Sequence, residues 1–188
     1  GSMNTLLNDY PNFSSRWGKV KQLVNSIIDI GAIYNENGID IYFLNRPKIL
    51  NIKTKEQVHY IFDILPTGET PLTKRFNQIL NDYKNNSKPL LIIILTDGVP
   101  YVNCKYDLNN FTNILKKKDN SKNYISFLAC SDNLDDIGYL NKLNNKKHNI
   151  YVLNDYYFEY KKFIKVRGNN YKYSFGNHIV RLLLGPLI

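Results

Sequence analysis

The chain has 188 residues, 43% hydrophobic and 22% charged, proportions of a soluble globular protein with its own core and not of a disordered or collagen-like chain. Its formal charge of +9 and pI of about 9.4 admit acidic partners without specifying a fold. No apolar run reaches membrane-span length and no signal peptide is visible, while two cysteines and three scattered histidines (His59, His148, His178) exclude a disulfide framework and a zinc site.

Gly1-Ser2 ahead of Met3 reads as a remnant of cloning, which leaves residues 3–188 as one domain. Thr5-Leu6-Leu7 is short and apolar, and predicts a first strand. From Ser15 on, Trp17, Val20, Val24, Ile27, Ile28 and Tyr34 recur at helical spacing behind a Ser14 or Ser15 cap, up to Asn37-Gly38. "IDIYFL" (Ile39 to Leu44) alternates like a strand, with "KILNI" as a short strand beside it. Thr54-Lys55-Glu56-Gln57 has the form of a capping box, and Val58, Ile61, Phe62 and Leu65 continue as a helical stripe. In "PTGETPL", Thr70 is placed to cap a helix with Pro71 at its first position and Leu72, Phe76, Ile79, Leu80 and Tyr83 on its buried face.

"LLIIIL" (Leu90 to Leu95) has no polar alternation, so it predicts a strand buried on both faces, as in the middle of a parallel sheet. It stops at Thr96-Asp97-Gly98, and Gly98 and Pro100 turn the chain into a loop. Open α/β sheets bind ligands just beyond the carboxyl ends of such strands. The plainer alternative makes Asp97 a turn residue. Asp107 precedes a helix carrying Leu108, Phe111 and Leu115, Tyr124 to Cys130 is another strand, and Asp132 opens a helix with Leu134, Ile137, Leu140 and Leu143. "IYVL" (Ile150 to Leu153) is a last strand, and Ile179 to Leu184 form a final helix closed by Gly185-Pro186. Strands alternate with helices throughout, which predicts an α/β fold with a mainly parallel sheet covered on both faces.

"GETPL" (Gly68 to Leu72), "LIIILTDGVP" and "ISFLACSDN" with the later "LNKLNN" resemble, in order and spacing, three stretches of the von Willebrand factor type A domain. "RW", "GIDIYFLN", "KPLLIIILTDG" and "LLLG" resemble a branch of that family found in fungal and viral proteins, and the likeness runs essentially from Met3 to Leu187. The resemblance implies a doubly wound, three-layer sheet with a metal-ion-dependent adhesion site at its carboxyl edge. There, an Asp and two hydroxyls from an Asp-x-Ser-x-Ser loop, a Thr from a second loop and an Asp from a third hold Mg²⁺ or Ca²⁺. Hard oxygen ligands with one open position suit those cations and an anionic partner group. Thr70 and Asp97 match the second and third loops. The first loop, "LLNDYPNFSSRW", fits in two registers, one from Asp9 and the other, preferred, from Asn8. Both lose the two Ser hydroxyls, and only Asn12 among their replacements offers a carbonyl suited to a cation. Asn8, Asp9, Asn12, Thr70 and Asp97 therefore form the expected vestigial site, with no cofactor expected beyond weakly held Mg²⁺ or Ca²⁺.

The function that follows is a non-enzymatic protein-interaction module whose partner the sequence does not name. No Ser-His-Asp set, "GxxxxGKS" loop or "GxGxxG" loop is present. A metal-dependent hydrolase built on Asp9 and Asp97 lacks an evident general base. The alternative is nucleic-acid binding through "YYFEYKKFIKVRGNNYKY" (Tyr156 to Tyr173), where Lys161, Lys162, Lys165, Arg167 and Lys172 face a single acid, Glu159, and aromatics interleave as stacking platforms do. A plainer reading packs Tyr156, Tyr160, Phe163 and Ile164 as a helical stripe and leaves the lysines in solvent. Abundant Asn, Lys, Ile and Tyr also fit an A/T-biased source such as a large DNA virus, and the protein is expected inside a cell or virion.

Overall fold

The computed structural model describes residues 2–6, 15–131, 133–168 and 170–188. The chain divides into two compact units, residues 1–80 with 100–107, and residues 81–99 with 108–188.

In the first unit, α1 (Arg16–Tyr34) starts where the Ser15 side chain accepts from the Gly18 N–H, and buries Trp17, Val20, Leu23, Val24, Ile27 and Ile28 along one stripe. Gly38, at φ +79°, turns the chain out of this helix, where a Cβ would collide with the Ile52 carbonyl. Strand β1 (Ile39–Ile41) then pairs antiparallel with β2 (Ile49–Ile52). The ladder has one residue more on β2 than on β1, and Asn51, at φ +60°, marks the bulge, its N–H held by Asp40 Oδ1 at 2.7 Å.

The expected strand Ile39 to Leu44 is therefore shorter, and it belongs to a two-stranded antiparallel sheet instead of the centre of a parallel one. Past Ile41 the main chain is bound elsewhere. Arg75 donates to the Leu44 and Arg46 carbonyls at 3.0 Å each, and Phe43 packs against Trp17 and Phe62. The Thr54–Gln57 capping box forms as expected at α2 (Lys55–Phe62), which buries Val58, Ile61 and Phe62. Leu65 lies beyond that helix and is exposed. Leu6 makes only an isolated bridge with Ser15 and is exposed, while Leu7 lies outside the described residues. Helix α3 (Leu72–Asp82) buries Leu72 and Phe76.

The second unit holds the parallel sheet, with β3 (Leu90–Thr96), β6 (Asn123–Ala129) and β7 (Ile150–Leu153) in the order β3-β6-β7. Leu90 to Thr96 run in register with Asn123 to Ala129, and Ile125 to Leu128 with Ile150 to Leu153. Between them lie α4 (Leu108–Lys117) and α5 (Leu134–Asn141), and after them α6 (Tyr156–Arg167) and α7 (Phe175–Leu184). Alternation along β6 assigns the faces. Phe127 meets Phe111 of α4 edge-on at 6.1 Å on one face; on the other, the Ser126 hydroxyl donates to the Leu182 carbonyl of α7. Tyr151, level with Ser126, lies against Gly185 on that second face. Helices thus cover both faces of this sheet. Phe111, Phe127, Leu115 and Ile125 are fully buried, each stabilising by about 1.5–3 kcal/mol. The mixed α/β class is as expected, and the strand order of the described sheet contains no reversal.

Candidate functional site

The run Leu90 to Leu95 ends where the backbone changes hydrogen-bonding partners. The Thr96 carbonyl takes one more sheet bond, from the Cys130 N–H at 2.8 Å. The Thr96 hydroxyl then closes a turn, donating to the Gly98 carbonyl at 3.1 Å and accepting from the Gly98 N–H at 3.4 Å. Tyr139 of α5 donates its hydroxyl to the same Gly98 carbonyl at 3.0 Å. Burial pushes the Tyr139 phenol well above its ordinary value; a hydrogen bond with Thr96 opposes this and the nearby Asp97 adds to it. Tyr139 therefore stays a neutral donor and locks the turn in place.

Asp97 sits inside this turn at the carboxyl end of β3, only 7% exposed. Two more buried polar residues follow the neighbouring strands, Ser131 beyond β6 and Asp155 beyond β7. Ser131 Oγ accepts from the Asn133 N–H at 3.1 Å, and Asp155 Oδ1 caps α6 through the Tyr157 N–H at 3.0 Å. Tyr139, Ser131 and Asp155 were not singled out by sequence reading. Only the residue after each strand was available as a signal, and a lone Tyr on a helix carries none. The Gly98 position is open, since an added Cβ would meet no described atom within 4 Å. These side chains fix a shaped edge, with the Thr96 and Tyr139 hydroxyls bonded to the turn and Ser131 Oγ to the backbone ahead of α5.

Thr70 lies in the first unit. Its N–H and carbonyl pair with Tyr101 at 3.0 and 3.1 Å, joining it to a hairpin of β4 (Tyr101–Val102) and β5 (Lys105–Tyr106). The hairpin tip accounts for Glu69, which accepts from the Asn103 N–H at 3.0 Å. Thr70 was expected to cap α3 with Pro71 at its first turn. The helix instead begins at Leu72, and the Pro71 carbonyl receives the first helical bond, from Arg75 at 3.1 Å. The bridge to Tyr101 draws Thr70 into strand geometry one residue too early for a cap. Asn8, Asp9 and Asn12 lie outside the described residues, as does Asp132, and Asn133 is the residue that caps α5.

A divalent cation of the Mg²⁺ or Ca²⁺ type takes six to eight oxygens. Among the described residues no three His, Cys, Asp or Glu side chains gather into a metal-holding group.

The basic stretch is brought together locally. Lys161, Lys162, Lys165 and Arg167 lie on α6 and Lys172 on the segment after it, all exposed. Its one acid is not among them. Glu159 is buried, ion-paired with Arg181 of α7 at 2.7 Å and bonded to Asn154 at 3.0 Å. Burial alone would raise the Glu159 carboxyl; the bonds from Arg181 and Asn154, with the charges of Arg181 and Lys162, outweigh it and hold the group below its ordinary value. Most of the interleaved rings are occupied by one another, Tyr173 being buried between Tyr156 and Phe163.

The fold and edge define an α/β chain with a parallel sheet whose strand ends carry buried polar residues. The chain matches no protein-family model, no curated protein and no solved structure. Among the described residues no helix is long and apolar enough to cross a membrane.

Proposed function

We propose that this chain is a non-enzymatic protein-interaction module of the von Willebrand factor type A kind, which docks a protein partner at the carboxyl edge of its parallel sheet with little or no metal. The observation that carries the reading is the Thr96-Asp97-Gly98 turn. Asp97 is buried beyond the end of β3, and Thr96 and Tyr139 both hold the Gly98 carbonyl, so the edge is rigid before any partner arrives. A preformed surface loses little conformational entropy on binding. The doubly wound sheet and the vestigial positions Asn8, Asp9, Asn12, Thr70 and Asp97 belong to this proposal through the family resemblance.

The test exploits Gly98, whose missing side chain leaves room. Gly98→Arg adds bulk to the docking edge from a Cβ position that meets no described atom within 4 Å. Affinity capture from a native lysate is compared between wild type and Gly98→Arg, with EDTA present. Proteins retained by wild type and reduced at least tenfold by Gly98→Arg, at unchanged thermal stability, are the expected result. Equal capture by both forms removes this edge as the docking surface.

A further inference from the structure

We infer that the surface of α6 and the segment after it is a second, separate binding site, for single-stranded nucleic acid, with Tyr171 as its stacking platform. Four near-parallel rings make a ladder outward from the core. Tyr156 and Tyr173 stack at 5.8 Å and 16°, Tyr173 and Phe163 at 4.6 Å and 17°, and Phe163 and Tyr171 at 5.4 Å and 14°. The ladder ends at Tyr171, which is 38% exposed although one of its faces lies on Phe163. An unstacked base laid on its outer face would extend the column by one ring, and base–aromatic stacking of this kind tolerates any base.

Charge around that ring points to the same ligand. The Arg167 guanidinium lies 5.9 Å from the Tyr171 ring centre, Lys172 follows it in sequence, and Lys161, Lys162 and Lys165 are exposed along α6. From Tyr156 to Ile188 the chain carries a single acidic side chain, Glu159, and the structure ion-pairs it with Arg181. Lys161, Lys165, Arg167 and Lys172 thus have no acidic side chain of α6 or α7 to neutralise them, and Lys162 alone acts electrostatically on Glu159. The ring geometry favours a single strand over a lipid surface. Tyr171 lies flat on Phe163 with the Arg167 guanidinium over its ring, an arrangement suited to stacking a planar base beside its phosphate. A duplex keeps its bases stacked and gives Tyr171 nothing to receive.

The measurement is fluorescence anisotropy of labelled oligo(dT) with the whole chain across a salt series. Wild type binds at low salt, and affinity falls with log[salt] by about 0.7 per phosphate neutralised. Lys161→Glu with Lys162→Glu lowers that slope by about 1.4. Tyr171→Ala weakens binding roughly tenfold at an unchanged slope, and Tyr171→Trp restores it. Any of three results overturns the inference: no binding at low salt, a silent Tyr171→Ala with duplex bound as tightly as single strand, or binding to phosphatidylserine vesicles without binding to oligo(dT). Circular dichroism checks each variant, and the lysine pair keeps the test decisive if Tyr171→Ala loses its fold.

Discussion

At the tip of the β4–β5 hairpin, Asn103 and Cys104 both have positive φ, 51° and 61°. Two such residues in a two-residue loop make the turn type whose twist matches a hairpin, and its second position strongly favours glycine. Asn tolerates this region, but Cys has no side-chain bond to offset the cost, which is of order 1–2 kcal/mol. Cys104→Gly should therefore raise unfolding stability by about 1 kcal/mol in a denaturant titration. A loss of stability would show that the Cys104 side chain contributes a contact worth more than the strain. Lys118 presents the opposite case, a buried cation bonded only to neutral oxygens. Its ammonium donates to Asn120 Oδ1, the Asn123 carbonyl and the His148 carbonyl at 2.7, 3.0 and 2.6 Å, tying together the loops before β6 and β7. Burial pushes Lys118 down to about 8, against a slight opposing pull from Asp119. The unfolded chain then binds the extra proton between about pH 8 and 10.5, so this group makes stability rise with pH across that window. Lys118→Met should flatten that rise, and should cost about 1–3 kcal/mol at neutral pH by leaving its acceptors unpaired. Parallel pH–stability curves for the two proteins would refute the assignment.

Between elements, the contact with most at stake is the pair holding α6 to α7. Glu159 is almost fully buried while the Arg181 side chain is 33% exposed, and Arg181 also donates to Tyr173 Oη at 3.1 Å. Removing one partner of a fully buried pair costs about 3–5 kcal/mol; with Arg181 part-solvated, Arg181→Met should cost about 2–3 kcal/mol. The sign with pH follows from the depressed Glu159 group. Its contribution is complete above the ordinary carboxylate value and is lost as pH falls through the lower, folded one. The stability gap between wild type and Glu159→Gln should therefore be full at pH 7 and close progressively below about pH 4.5. A gap that widens in acid would contradict the pairing. Gly185 binds the end of α7 to the sheet, since an added Cβ would overlap the Tyr151 ring. Gly185→Ala should lower stability by about 1–3 kcal/mol in thermal melts.

Over the whole molecule, what was legible in the sequence was what periodicity encodes. The capping box at Thr54 and the helix after Asp107 formed as read. The unbroken apolar run Leu90 to Leu95, expected in the middle of a parallel sheet and buried on both faces, is instead the edge strand of the described sheet and alternates between buried and half-buried residues, while β6 takes the centre. Ile39 to Leu44 misled because alternation reveals a half-buried strand but not its partner, and Arg75, distant in sequence, claims the Leu44 carbonyl. Thr70 misled because a bridge to Tyr101 competes with capping, and Thr-Pro before a helix is silent about that rival. Tyr139 and the Glu159–Arg181 pair lay beyond reach, each being defined by a contact across many residues. The resemblance also leads to a cation test. Titration calorimetry of the full chain with millimolar Mg²⁺, Mn²⁺ or Ca²⁺ should give no saturable heat, and saturable binding lost in Asp97→Ala would restore a metal-dependent site. The central claim, that the turn after β3 is where a partner docks, is tested most directly by hydrogen–deuterium exchange on the chain with a captured partner bound. The account predicts slowed exchange of the amides at Asp97, Gly98 and Val99 in the complex, with EDTA present. Protection elsewhere, with those amides exchanging as in the free chain, would contradict it.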